Sequence, residues 1–390
     1  MRPKKHILPI IILSQFACTS LWFAGNAVAD DLVQSIDLGS KLIPYILSSV
    51  QLGFIVGTLS FAFLMIADRF SPSRVFLVSA LLAASCNIYL LSKSISLTPL
   101  LLARFGTGFF LAGIYPVGMK IAADYFNTGL GKALGYLVGA LVLGTAFPHL
   151  LKWFDIGNDY RLVVVSISIL ASLGGVMLWF LVPDGPYRKP ASRLKLNAFW
   201  EIFGVSSFRR AAFGYFGHMW ELYAFWAFVP LALALHNRLT DANINIPLWS
   251  FLIIGIGSIS CIIGGKLSLK FGSRKVAMTS LLISGCCCLL SPVLFKLPTG
   301  VFLTFYILWG MAVIADSPQF STLVAQAAPS KLTGTALTLT NCIGFAVTIV
   351  SIQLLSTFSE DFSEQSITYL FLPLAIGPIF GLVSIAKRSS

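Results

Sequence analysis

Charge is scarce in this sequence: 11% of its 390 residues are Asp, Glu, Lys or Arg, where a soluble globular domain carries about 25%. That leaves too little polar surface to cover a water-soluble body, and a mean hydropathy of +0.86 agrees. Cysteine is also sparse and badly placed for cross-linking. The seven thiols, an odd number, are Cys18, Cys86, Cys261, Cys286, Cys287, Cys288 and Cys342. All fall inside apolar runs, so disulfides and zinc are not expected and the thiols read as small packing groups. No Gly-x-x-x-x-Gly-Lys-Ser/Thr loop occurs, which argues against ATP as the energy source. Paired carboxylates, a His/Asp metal cluster or an activated serine at one depth are missing too, which weighs against a membrane-embedded enzyme. No cofactor and no metal are expected. A channel would show a continuous polar stripe or a charged ring, and neither is visible.

What is present is hydrophobic length. Helices crossing a bilayer need roughly 20 mainly apolar residues each, and the hydropathy pattern places spans near 7–30, 43–66, 75–92, 98–122, 130–151, 162–182, 212–235, 248–266, 276–295, 300–325, 333–356 and 368–386. The fold class is therefore all-α and polytopic, with twelve spans. The opening Lys4-Lys5 and the stretch Gln15-Phe16-Ala17-Cys18 look like a signal and a lipoprotein cleavage site. The apolar run nevertheless continues through Leu21, Trp22 and Phe23, so it reads as a retained first helix.

The net charge of +12 invites a nucleic-acid reading, and its distribution argues against one. With the N-terminus in the cytoplasm, one side receives Arg69, Arg74, Lys120, Lys132, Arg188, Arg209, Arg210, Lys266, Lys270, Arg274, Lys275 and most other basic residues. The opposite side receives only Lys41, Lys93, Lys152, Arg161, Arg238 and Lys296. This is the positive-inside bias, and it puts both termini in the cytoplasm and the chain in a plasma or inner membrane. Lipid is the expected surrounding, nucleic acid is not an expected partner, and a monomer is expected to suffice.

The longest polar interruption, residues 184–211, separates a first six-span half at 1–183 from a second at 212–390. Its stretch Leu194 to Arg210 suits either a helix lying flat in the interface or a plain linker. The halves repeat. Asp68-Arg69-Phe70-Ser71-Pro72-Ser73-Arg74 matches Leu269-Lys270-Phe271-Gly272-Ser273-Arg274-Lys275 at an offset of 201. Gly108 falls on Gly310, and Pro116 on Pro318, at an offset of 202. Parallel six-span halves of this kind are a transporter architecture with the substrate site between them.

On these residues the chain resembles the major facilitator superfamily over essentially its whole length. The Asp68-Arg69 loop is similar to the family's signature loop, with Leu64 and Ser71 where glycines belong. The second copy keeps Gly265, Gly272, Arg274 and Lys275 but has Leu269 in place of the acid. Arg104 with Gly108 is similar to a second family motif. Gly135, Gly139 and Gly144 only partly match the antiporter-type motif. The resemblance implies a secondary transporter working by alternating access, with spans one, four, seven and ten lining a central cavity. Asp68, Arg69, Arg74, Gly265, Lys270, Gly272, Arg274 and Lys275 would then form a cytoplasmic gate, Asp68 capping the start of span eleven.

Ionisable groups within spans are few: Arg104, His218, Glu221 and Asp316. Each costs about 2.5–3.5 kcal/mol at a helix centre on insertion scales, so they should face the bundle interior or a wet cavity. His218 lies three residues before Glu221 and can share a hydrogen bond or proton with it. Asp316 precedes Pro318, whose ring loosens the helix and frees the Ile314 carbonyl. Burial disfavours a charged carboxylate, so Glu221 or Asp316 could load and release protons. Pairing with a cationic substrate and a buried ion pair, for instance with Arg104, are the other readings. Gln15, Thr19, Trp22 and Asn26 share one face of the first span. With Gln51, Tyr115, Trp220, Tyr223, Trp309, Gln319 and Asn341 they are candidate cavity-lining residues. The function expected is proton-coupled transport of a small organic solute or metabolite. Proton-driven efflux of amphipathic compounds is the alternative, and lipid or lysolipid transport a minor one.

Overall fold

The computed structural model describes residues 6–33, 42–92, 96–126, 130–154, 159–188, 198–361 and 366–386. Among them there are helices and no strands. We label the spans α1 (Ile7–Thr19), α2 (Leu42–Phe63), α3 (Pro72–Leu91), α4 (Leu97–Tyr125), α5 (Leu130–Phe154), α6 (Tyr160–Leu181), α7 (Ser206–Thr240), α8 (Ile246–Phe271), α9 (Ser273–Leu294), α10 (Thr299–Ala327), α11 (Thr333–Ser359) and α12 (Ile367–Ala386). Eleven of these are long and apolar enough to cross a membrane. The remaining one, α1, is apolar but has only 13 residues.

The first span thus departs from the continuous helix expected over 7–30. Thr19 Oγ1 donates to the Gln15 carbonyl at 2.8 Å and Ser20 Oγ to that of Ala17 at 2.7 Å. Such back-bonding competes with the helix ladder and bends it. The next amides, Leu21 and Trp22, reach only three residues back. The helix stops, and a short turn resumes at Ala24–Ala27.

The helices form two units, Met1–Arg193 and Leu194–Ser390. In the first, α2 packs on α4, α1 on α5 and α6, and α3 on α4 and α6. In the second, α8 packs on α10, α7 on α11 and α12, and α9 on α10 and α12. The pairing scheme is the same, shifted by six helices, so the sequence repeat is a repeat of packing. Glycine sets the tightest crossing in each. A Cβ on Gly108 of α4 would sit 1.8 Å from the Val50 carbonyl of α2, and one on Gly310 of α10 would sit 2.1 Å from the Ile253 carbonyl of α8. In lipid no hydrophobic force holds helices together, so such close backbone contact carries the packing.

The two proline breaks coincide as well. α4 is interrupted at Ala112–Ile114 just before Pro116, and α10 at Asp316 just before Pro318. The Ile314 carbonyl that Pro318 deprives of its partner accepts from the Cys261 thiol of α8 at 3.7 Å.

The second unit begins differently from expectation. Of Leu194 to Arg210, residues 194–197 lie outside the described set. From there Phe199–Gly204 forms a short helix, and α7 starts at Ser206 rather than near 212. Phe208 extends the helix into the polar stretch because it is fully buried in a cluster with Ile202, Ala212, Leu332 and Ala336. Phe199 and Phe203 pack against that cluster, whereas Trp200 is 80% exposed.

Candidate functional site

Glu221 lies near the midpoint of the 35-residue α7 and is 1% exposed. Three neutral donors hold its carboxyl group. Trp309 Nε1 of α10 donates to Oε1 at 2.6 Å, Ser284 Oγ of α9 to Oε2 at 2.8 Å, and the Cys288 thiol to Oε1 at 3.3 Å. Around Trp309 stands an aromatic wall. Phe225 has its ring centroid 4.5 Å away, and Tyr306 and Phe371 each 5.5 Å. The wall excludes water from one side of the carboxyl group and strengthens each hydrogen bond to it.

His218 does not pair with Glu221, as its spacing had allowed. Its Nδ1 lies 2.8 Å from Asp316 Oδ1, both side chains 1% exposed. The break at Asp316 turns this residue across toward α7, and that contact outcompetes the neighbour along the same helix. Phe320 and Tyr215 flank the imidazole, each ring centroid 5.9 Å from it. The Gln319 amide nitrogen is buried beside this break, without a hydrogen-bond partner among the described residues. Asn341 accepts from Tyr215 Oη at 2.9 Å, so α11 joins the same polar track. Trp220 Nε1 is tied to the Pro373 carbonyl at 3.1 Å, and Tyr223 packs on Trp226 and Phe345.

In the first unit Arg104 is fully buried and, among the described residues, meets no carboxylate, so the ion pair expected for it is not found there. Nη1 donates to Asn87 Oδ1 at 2.9 Å, and Nη2 to the Leu21 and Trp22 carbonyls at 3.0 and 3.1 Å. Those are carbonyls of the broken stretch after α1. The guanidinium replaces hydrogen bonds that the break removed. Asn87 is held in turn by Ser168 Oγ at 3.1 Å. We expect Arg104→Gln to lower the stability of the folded chain by about 1–3 kcal/mol, the cost of orphaned buried acceptors. Arg104→Lys should recover only part, because an ammonium lacks the planar fork. Unfolding curves in mild detergent measure both.

The first-span candidates are all buried. Thr19 is spent on its own helix, and Trp22 packs on Phe54 with centroids 4.8 Å apart. Gln15 and Asn26 keep both side-chain amide atoms buried without hydrogen bonds among the described residues. That marks these two as places where a polar ligand could be met. Gln51 is buried as well, and Tyr115 opens the second segment of α4.

The signature loop forms a compact charge network. Lys120 of α4 lies 3.1 Å from Asp68 and 3.7 Å from Asp124. Arg188 pairs with Asp184 at 2.6 Å and donates to the Asp68 and Phe70 carbonyls at 2.9 and 2.7 Å. Arg69 and Arg74 point outward. Met65, one residue after Leu64, adopts φ +53°, so the left-handed conformation occurs here without a glycine. In the second copy the positive φ falls instead on Gly272, at +84° and opposite Ser71, while Lys270 and Lys275 are exposed. Gly265 has open space where a Cβ would go.

Sequence reasoning missed Ser284, Cys288 and Asn87. The thiols especially were read as apolar filler, yet Cys18, Cys261 and Cys288 all act as donors. Donor roles leave no trace in a hydropathy pattern.

Helices of membrane-spanning length, a repeated six-helix packing scheme and buried ionisable groups on α4, α7 and α10 define a multi-pass transporter-type membrane protein. The family model of the Major Facilitator Superfamily matches residues 9–352, and the chain belongs to that family. It is a membrane transporter and not an enzyme. No curated protein matches the sequence. Among solved structures, the human organic anion transporter MFSD10 (TETRAN) aligns with a TM-score of 0.74 at 15% identity, covering 98% of this chain and 100% of that one. The proton:xylose symporter XylE, bound to 6-bromo-6-deoxy-D-glucose, aligns with a TM-score of 0.73 at 13% identity, covering 96% and 94%. At such identities the likeness is one of fold.

Proposed function

We propose that this transporter moves a small organic solute by alternating access and couples that movement to protons through Glu221 and the His218–Asp316 pair. One observation carries the reading. Two carboxyl groups sit at 1% exposure on α7 and α10, and among the described residues neither meets a Lys or Arg. Carboxyl groups enclosed in a membrane bundle are the usual parts of proton relays, and these two could exchange protons as access alternates between the two sides. Glu221 is held by donors that tolerate either state. His218 Nδ1, 2.8 Å from Asp316 Oδ1, stands within relay distance of it. The gating loop around Asp68 and Lys120 would act at the cytoplasmic face. Two proteins of the same fold move an organic anion and a sugar with protons, which supports a small organic solute. The aromatic wall around Trp309 favours, as the second reading, export of amphipathic compounds.

The test is solute-dependent proton flux into proteoliposomes carrying an entrapped pH dye, with pentoses, hexoses and mono- and dicarboxylates as first probes. Asp316→Asn and His218→Gln should each lower coupled flux by about tenfold or more while solute counterflow survives. Solute movement indifferent to a protonophore would end the coupling assignment. Movement only outward, and only of amphipathic cations, would select export.

A further inference from the structure

The repeat makes one difference between the units conspicuous. In the first unit Lys120 near the end of α4 and Arg188 beyond α6 are neutralised. Lys120 sits between Asp68 and Asp124, and Arg188 binds Asp184, which also accepts from Ser71 Oγ at 2.6 Å. Carrying these positions into the second unit at the offsets 201 and 202 removes every acid. Asp68 becomes Leu269, which is 89% exposed; Asp124 becomes Gln326; Lys120 becomes Thr322. Basic residues of the second unit's own stand nearby, Arg274 at the start of α9 and Arg210 at the start of α7.

These two arginines line a recess of about 330 Å³ at one end of the second unit, with Ser207, Gln326 and the buried Ile385 among its walls. Ser207 and Arg210, three residues apart on α7, face it together, as do Leu323 and Gln326 on α10. Arg274 donates one N–H to the Ile385 carbonyl at 2.6 Å, which fixes its fork and leaves other donors for a ligand. Among the described residues neither arginine forms an ion pair. Two guanidinium groups sharing one recess without counter-charge repel each other, whereas Lys120 and Arg188 of the first unit each meet carboxylates.

We propose that this recess binds a phosphate group, with Arg210 and Arg274 as its two ligands and Ser207 and Gln326 as neutral donors. A guanidinium matches tetrahedral phosphate oxygens in bidentate fashion. The recess leaves space beyond one phosphate for an attached polar group such as phosphoglycerol. The bound anion would link the starts of α7 and α9 to the end of α10, and of these three helices α7 carries Glu221 and α10 carries Asp316. Its source is either an anionic lipid headgroup or a soluble phosphate.

Thermal unfolding of the full chain in a neutral sugar detergent tests this with three probes: dioleoylphosphatidylglycerol, dioleoylphosphatidylcholine and inorganic phosphate. Phosphatidylglycerol should raise the midpoint and phosphatidylcholine should not, since a ligand bound only to the folded state stabilises it. Inorganic phosphate reproducing the rise identifies a soluble ligand; a rise confined to phosphatidylglycerol identifies lipid. Arg210→Gln with Arg274→Gln should weaken the apparent affinity by about tenfold. Lys270→Gln with Lys275→Gln, basic residues outside the recess, should leave it unchanged. Gln326→Asp, which restores the acid of the first unit, should cancel the rise without removing either arginine. The proposal is overturned if neither anion shifts the midpoint, or if the recess variants respond like the wild type.

Discussion

Glu221→Gln is expected to lower proton-driven solute transport by about a hundredfold, the order lost when a group used as both acid and base is removed. The amide is isosteric. Its oxygen can still accept from Trp309 while its NH2 donates to Ser284 Oγ, so folding and solute exchange between two equal compartments should continue. What disappears is the ability to take up and release a proton at that point. The rate should also lose its dependence on an imposed pH difference. Trp309→Phe offers the complementary change, keeping the aromatic wall while deleting the 2.6 Å hydrogen bond to the carboxyl group. Tracer counterflow and dye-reported proton flux on the same proteoliposomes separate the two effects. Unaltered proton-driven transport in Glu221→Gln would remove this residue from the coupling scheme.

Gly108→Val is expected to have the largest effect on stability, at least about 3 kcal/mol, the upper part of the range for overpacking a close contact. The Cβ alone would lie 1.8 Å from the Val50 carbonyl, and the reciprocal position, Gly53, would place one 2.0 Å from the Phe105 carbonyl. Neither neighbour is a side-chain tip that can swing away; both are backbone. The helices α2 and α4 must therefore separate along their whole crossing. Gly310→Val should do the same to α8 and α10. Gly131→Ala is the control, because nothing stands within 4 Å of a Cβ there. Folded yield by size exclusion and unfolding in a denaturing detergent series measure all three; a Gly108→Val chain as stable as the control would refute the packing argument.

The repeat was legible because its marks are backbone requirements. Gly108 and Gly310, Pro116 and Pro318 fall at one offset, and each pair serves one geometry. Helix number was legible from hydropathy, except where side chains rewrote the backbone. The break after α1 contains neither proline nor glycine; it comes from Thr19 and Ser20 bonding backward, which no hydrophobic pattern records. The starting point of α7 was misplaced for a related reason, since Phe208 is one buried anchor inside a polar stretch. Within the site, rarity picked out Glu221, His218, Asp316 and Arg104 correctly as buried groups. Their partners were not legible. His218 had Glu221 on its own helix and found Asp316 on another. Arg104 is satisfied chiefly by backbone carbonyls, which look alike at every position of a sequence.

The arrangement of Arg104 has a bearing on biogenesis. The carbonyls of Leu21 and Trp22 enter the bilayer with the earliest part of the chain, yet the side chain that satisfies them belongs to the fourth span. Exposed carbonyls are poorly tolerated in hydrocarbon. Nascent α1 should therefore linger at the protein-lined exit of the insertion machinery until α4 emerges. Crosslinking of arrested chains, shorter or longer than that point, would show α1 leaving for lipid only in the longer ones.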